Sequence, residues 1–261
     1  RGNTLSETDP LGRTRTYTYD GQDNRLSETD PLGKTTTYSY NGNRQVLTVI
    51  DALGRTTSNA YDGAGNLTSS TDPAGQVTSY TYDARGLQLT RSDPLGNVAR
   101  YAYDAAGNMI SETDPLGRVS SYTYDANGNR LTQTTTRTVG AGSETLTTSF
   151  TYDKANRLTQ TTHPDGSLTR VTYNAIGKQS ITTDALGRET KFDYDDMGRL
   201  TRTTYPDGSS ETSTYDAEGR RTGSIDRAGR TTTSTYDALG RLTATIAADG
   251  SRTGTVYDAA G

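Results

Sequence analysis

The chain has 261 residues, of which only 30% are hydrophobic, with 18 Tyr, two Phe and no Trp. Its formal net charge of −4 and scattered Lys and Arg offer no basic stripe for a nucleic-acid backbone, so no nucleic-acid partner is expected. The absence of Cys excludes a disulfide framework and Cys-ligated zinc. Low hydrophobicity is typical of disorder, but low net charge and abundant Thr and Tyr favour a folded β-protein.

A tyrosine followed by Asp or Asn marks an internal repeat along the whole chain. Every step between these tyrosines is 21 residues except one of 28. The sequence therefore predicts about twelve tandem repeats over residues 1–261. The tyrosines are Tyr19, Tyr40, Tyr61, Tyr82, Tyr103, Tyr124, Tyr152, Tyr173, Tyr194, Tyr215, Tyr236 and Tyr257.

Most repeats carry two turn sequences, one directly after the tyrosine and one eleven residues beyond it. In the Tyr103 repeat these are Asp104–Gly107 and Asp114–Gly117. Asp first, Pro second and Gly fourth is the residue order of a type I turn followed by positive φ. Two turns in 21 residues leave two strands of six or seven residues, so each repeat is predicted to be a β-hairpin.

Tyrosines spaced by two, such as Tyr17 and Tyr19, place aromatic rings on one face of a strand and Thr on the other. The partner strand brings an aliphatic residue, which we expect to alternate with Tyr across neighbouring strands. That residue lies seven positions after the tyrosine at Leu26 but six at Leu67. Since a shift of one flips a side chain, a compensating bulge or a longer turn is expected, with neither favoured.

The longer step predicts a seven-residue insertion near 135–144, interpreted as drift in length rather than a functional loop. The chain begins and ends in matching turn sequences, which suggests a fragment of a longer protein. No apolar run is long enough for a membrane span, and no targeting signal is present in the segment.

These residues carry a family resemblance. Tyr124 to Thr132, read with Asp-Pro-Leu-Gly at Asp114–Gly117, resembles the Rhs or YD repeat, which covers the whole chain. The resemblance implies relatives among bacterial Rhs polymorphic toxins, shell proteins of toxin complexes and wall-associated YD-repeat proteins. It further implies a continuous spiral sheet, so the fold class is all-β, an open segment of a β-cocoon shell that encloses a C-terminal toxin. No self-cleaving core region or variable toxic domain is recognised in this segment.

Catalysis is not expected. A single histidine, His163, stands in a turn position, no Gly-x-Ser-x-Gly elbow occurs, and no calcium-binding spacing is present. No catalytic residue, cofactor or metal is therefore predicted. The aspartates are assigned to turns, and the structural repeat motif comprises Tyr19, Asp20, Tyr61, Asp62, Tyr82, Asp83, Tyr103, Asp104, Tyr124, Asp125, Tyr152, Asp153, Tyr194, Asp195, Tyr215, Asp216, Tyr236 and Asp237.

The resemblance thus implies a structural shell segment of an exported, secreted or cell-surface bacterial protein. From the resemblance, its partners would be the enclosed toxin and the remaining shell. The alternative is a cell-surface adhesion or carbohydrate-binding module, because Tyr rows can stack on sugars. Cross-strand packing is the simpler explanation of those rows, since they follow the period of the repeat.

Overall fold

The structure, a computed structural model, describes residues 2–139 and 142–258, without the side chains of Thr138 and Val139. These residues form 24 β-strands and no helix. The prediction of an all-β chain of tandem hairpins is confirmed. The described part contains no helix of the length and apolarity needed to cross a membrane.

The strands divide into two compact units, one of residues 1–123 with 134–145 and one of residues 124–133 with 146–261. The first twelve strands are β1 Ser6–Thr8, β2 Thr14–Tyr19, β3 Arg25–Thr29, β4 Thr35–Tyr40, β5 Val46–Ile50, β6 Thr56–Tyr61, β7 Leu67–Thr71, β8 Val77–Tyr82, β9 Gln88–Ser92, β10 Val98–Tyr103, β11 Met109–Thr113 and β12 Val119–Tyr124.

The remaining strands follow the same alternation of five and six residues, apart from the lengthened pair β13 and β14 and the short last strand. They are β13 Arg130–Val139, β14 Gly142–Tyr152, β15 Leu158–Thr162, β16 Leu168–Tyr173, β17 Gln179–Thr183, β18 Glu189–Tyr194, β19 Leu200–Thr204, β20 Ser210–Tyr215, β21 Arg221–Ile225, β22 Thr231–Tyr236, β23 Leu242–Ile246 and β24 Arg252–Gly254.

Within each unit, strands that follow one another in the chain pair antiparallel. This holds from β1 to β12 and from β14 to β24. One set of turns therefore lies at one edge of each unit's sheet and the other set at the opposite edge. We call the turn after the tyrosine the first turn and the other one the second turn.

The turns have the geometry that the sequence predicts. In the second turn of the first repeat, Gly12 N donates to Asp9 O at 2.9 Å, and Asp9 N donates to Arg13 O at 3.0 Å. Gly12 has a φ of 77°, which L side chains rarely adopt. This is a type I turn closed by a residue in the left-handed region, a common three-residue hairpin connection.

A β-bulge follows the first turn in every repeat whose pairing is described there. Thr18 pairs with Ser27, but Tyr19 pairs with Arg25, so the register skips Leu26. The same skip follows Tyr61, which pairs with Leu67. A bulge is present, but it does not compensate for the shift of the aliphatic residue. The turn and the bulge are the same in both forms, and the aliphatic residue lies either at the skipped position, as Leu26 does, or directly before it, as Leu67 does. It faces tyrosine directly only in the Leu67 form.

The sheet has almost no buried core. Among the described residues, the buried hydrophobic ones are Ala99 and Ala244, and Thr203 is the buried polar one. The tyrosine face is the better covered face, since Tyr17 and Tyr19 are half-buried while Thr16 and Thr18 are exposed. The faces therefore differ as the period-two pattern predicts.

The insertion lengthens two strands. β13 has 10 residues and β14 has 11, and Arg137 Nε donates to Glu144 Oε2 at 2.7 Å across the hairpin. Gly140 and Ala141, which the sequence placed in the insertion, lie outside the described residues.

Candidate functional site

Each aspartate of the repeat motif opens a first turn, and its carboxylate is occupied by that turn. Asp104 illustrates the arrangement: Asn108 N donates to Oδ1 and Asn108 Nδ2 donates to Oδ2, both at 2.9 Å. These bonds, that of the Asn108 side chain foremost, hold the pKa of Asp104 below its ordinary value. A carboxylate held ionised in this way is poorly suited to be a general acid.

The same direction holds for the whole predicted set. The pKa is lowered at Asp20, Asp62, Asp83, Asp104, Asp125, Asp153, Asp195, Asp216 and Asp237. Within residues 2–139 and 142–258, no group of three His, Cys, Asp or Glu is arranged to hold a metal ion. His163 opens a second turn, since its carbonyl accepts from Gly166 N at 2.9 Å.

Each repeat tyrosine from Tyr19 to Tyr236 ends its strand, and in nine repeats the tyrosine hydroxyl reaches back to the preceding repeat. The acceptor is the carbonyl of the residue six positions after the preceding repeat tyrosine, beside the bulge. Tyr19, which no repeat tyrosine precedes, donates to Thr4 O. Tyr82 donates to Leu67 O and Tyr215 to Leu200 O, both at 2.9 Å. Such bonds, which we call tyrosine staples, are made by Tyr19, Tyr40, Tyr61, Tyr82, Tyr152, Tyr173, Tyr215, Tyr236 and Tyr257.

Arginines cover the tyrosine rings in the second unit. Arg199, five positions after Tyr194, donates Nε to Asp195 and holds its guanidinium carbon 4.8 Å from the ring centre of Tyr215. The same position gives Arg157, Arg220 and Arg241, which lie over the motif tyrosine of the next repeat. Each of these rings is thus covered by a guanidinium group that the aspartate of the preceding first turn holds in place.

Arginine one position later contacts a different ring. Arg25, six after Tyr19, lies 5.0 Å from the ring centre of Tyr38, two residues before the next motif tyrosine. We call that place the penultimate position. The sequence shows which repeats read Gly-Arg and which read Gly-Asn-Arg. Which ring the arginine contacts also depends on the position of the bulge, and the spacing of hydrophobic residues does not locate that bulge.

Comparison with solved structures finds weak likenesses. The complex TcdB2-TccC3-TEV matches at 14% identity and a TM-score of 0.40, over 90% of this chain and 18% of that chain. The Tc holotoxin pore of Photorhabdus luminescens matches at 14% identity and 0.38, with the same coverage. A porin-like protein from Bacteroides uniformis matches at 16% identity and 0.24, over 90% of this chain and 87% of that one.

The chain spans less than a fifth of the toxin-complex chains that it matches. No curated protein matches it. The sequence model described as RHS Repeat matches residues 1–35, 22–56, 61–98, 82–119, 103–142, 137–168, 173–210 and 215–253. These overlapping matches extend over nearly the whole chain, in phase with the hairpins described above, and the chain therefore belongs to the RHS Repeat family.

Proposed function

We propose that this chain is a structural wall segment of an exported RHS-repeat protein, whose shell encloses a C-terminal toxin or effector for delivery. The carrying observation is the row of tyrosine staples, which in nine repeats join a hairpin to the one before it. A wall needs continuity between repeats more than it needs a thick core, and these hairpins have only scattered buried residues among those described.

Exposed leucines support the proposed partner, the remaining shell. In the first unit the second turns present five leucines that are 71–87% exposed: Leu11, Leu32, Leu53, Leu95 and Leu116. A row of large apolar side chains at one edge of a sheet is typical of a surface that another part of an assembly covers. In the parent protein this edge would meet further wall.

Adhesion or carbohydrate binding through the tyrosine rows has less support. The motif hydroxyls named above already donate to backbone carbonyls, and arginines lie over several of the rings. A glycan stacking on those rings would first have to displace the guanidinium groups.

Limited proteolysis of the complete parent protein tests the proposal. The domain that follows the repeats should survive protease in the intact parent and be digested rapidly when several whole repeats of this array are deleted. A matched control carries the same domain alone. Equal rates of digestion with and without the repeats would contradict an enclosing role.

A further inference from the structure

A groove of about 340 Å³ interrupts the tyrosine face of the second unit, between β19, β20 and β21. Ser213, Ser224 and Arg221 line it, together with Thr203 and Glu211. Its volume lies within the range of small-molecule sites. The groove occurs where the penultimate position holds Ser213 instead of an aromatic residue.

The register places these side chains on one face. Glu211, Ser213 and Tyr215 alternate along β20, and alternate residues share a face. Thr203 pairs with Glu211, while Ser224 pairs with Ser213. Arg221 pairs with Tyr215 across the same ladder, which brings its side chain to this face as well.

The repeat of Arg25 shows what an arginine at the position of Arg221 ordinarily contacts. Arg25 lies over the rings of Tyr17 and Tyr38 and pairs with Glu28 at 2.9 Å. In the Tyr215 repeat all three equivalent positions are serine, namely Ser213, Ser234 and Ser224. Arg221 therefore lacks the two rings and the carboxylate that Arg25 contacts.

The guanidinium of Arg221 consequently has no partner among the described residues, and Arg221 is exposed. The hydroxyls of Ser213 and Ser224 are likewise without a side-chain or backbone partner in the described part of the chain, although they face each other. Facing hydroxyl pairs on the opposite face of the sheet do bond to each other, as Thr18 and Ser27 do at 2.6 Å.

The other charged groups of the groove are already engaged. Glu211 accepts from the hydroxyl of Tyr205 at 3.0 Å, and Asp226 accepts from Arg230 Nε at 2.7 Å. Arg202 donates to Ser210 Oγ at 3.3 Å. Arg221 and the serine hydroxyls therefore remain as the groups open to a ligand.

A second groove shows that a missing aromatic residue alone does not make such a site. This groove, about 400 Å³, lies at Val171, which also occupies a penultimate position. There Arg157 is bound to Asp153, and Arg170 donates to Gln160. Its arginines have partners, in contrast to Arg221.

From this geometry we infer that the groove at Ser213 and Arg221 binds a small polyhydroxylated carboxylate, such as an acidic monosaccharide. The planar fork of a guanidinium matches a carboxylate in bidentate fashion. The serine hydroxyls can donate to or accept from ring hydroxyls of the same ligand. The inference does not rest on the proposed wall function, and the site lies where the tyrosine rows are interrupted.

Isothermal titration calorimetry of the purified chain with D-glucuronate tests the inference, with D-glucose as the neutral counterpart. Saturable binding of glucuronate is expected, and glucose should bind about tenfold more weakly, since it lacks the charged acceptor. Arg221→Gln should weaken glucuronate binding about tenfold or more, the scale of a hydrogen bond to a charged group. The matched control Arg25→Gln should bind glucuronate as tightly as the unsubstituted chain does.

A second variant fills the groove without removing the arginine. Ser213→Tyr combined with Ser224→Glu restores two of the three side chains that surround Arg25 and should abolish binding while the chain stays folded by circular dichroism. The inference is overturned if glucuronate shows no saturable binding, if Arg221→Gln leaves it unchanged, or if glucose binds equally well. Binding of glucose 6-phosphate in place of glucuronate would also overturn it.

Discussion

Three non-glycine residues occupy the left-handed position of a first turn, and they show how strongly the hairpin dictates the backbone. Asp23, Arg44 and Asn156 have φ values of 67°, 63° and 59°. Asn and Asp tolerate this region because their short side chains bond locally, whereas Arg gains no such relief. The turn therefore forms at Arg44 against the preference of that residue.

Replacing Arg44 with glycine should stabilise the chain. The left-handed conformation costs an L-residue roughly 1–2 kcal/mol, and glycine removes this cost. Glycine also has more freedom in the unfolded chain, which offsets part of the benefit, so the free energy of unfolding should rise by about 0.5–1 kcal/mol. The midpoint of urea unfolding measures it. Asn156→Gly serves as a control with a smaller gain, and a loss of stability in Arg44→Gly would contradict the strain.

The tyrosine staple can be tested against another tyrosine of the same strand. Tyr82→Phe removes the donor to Leu67 O and should destabilise the chain by about 1 kcal/mol, the usual net value of a hydrogen bond. Tyr80, two residues earlier, has no hydroxyl partner among the described residues, so Tyr80→Phe should be nearly neutral. Equal effects of the two substitutions on thermal unfolding would argue that ring packing alone matters.

At the scale of the element, the first turn makes stability depend on pH. Its aspartates have pKa values below the ordinary 3.8 in the folded chain, as at Asp104 and Asp125. The folded state therefore binds fewer protons than the unfolded state in this range. The stabilisation is fully present above the unfolded value and is lost as pH falls through the lower folded values.

Urea unfolding measured from about pH 6 down to about pH 2 should show a falling midpoint below about pH 4. Asn41 supplies the design of a control, because it accepts the N–H of Gln45 as aspartate does in other repeats. Asp104→Asn should therefore keep the turn and reduce the dependence on acid by one group. An unchanged midpoint across this range would contradict the assigned turn bonds.

At the scale of the whole molecule, the fixed period is the property on which the array depends. Deletion of residues 83–103 removes 21 residues and joins Tyr82 to Asp104, so every face and turn should be preserved. Deletion of residues 83–104 removes one more and places the wrong residue in the turn. We expect β-sheet circular dichroism and cooperative unfolding for the first variant and a large loss of stability for the second.

The period, the two turns and the strand faces could be predicted from the sequence, because turn chemistry and alternation are local. The bulge could not, because Leu26 and Leu67 occupy different places relative to a feature that leaves no mark of its own. The groove at Ser213 was also missed. The lack of partners at Arg221 is recognised only by comparison with Arg25, and the two positions can be matched only when the strand register is known.

The tyrosine staple gives the array a direction. Tyr61 donates to Val46 O in the repeat before it, and the carbonyl beside its own bulge, Leu67 O, accepts from Tyr82 in the repeat that follows. During synthesis on a ribosome, each hairpin therefore emerges with its final bond still missing, until about one more repeat of chain has left the exit tunnel. Folding of the array should trail translation by that length, so a pause between repeats would leave a single unfinished hairpin at the growing end.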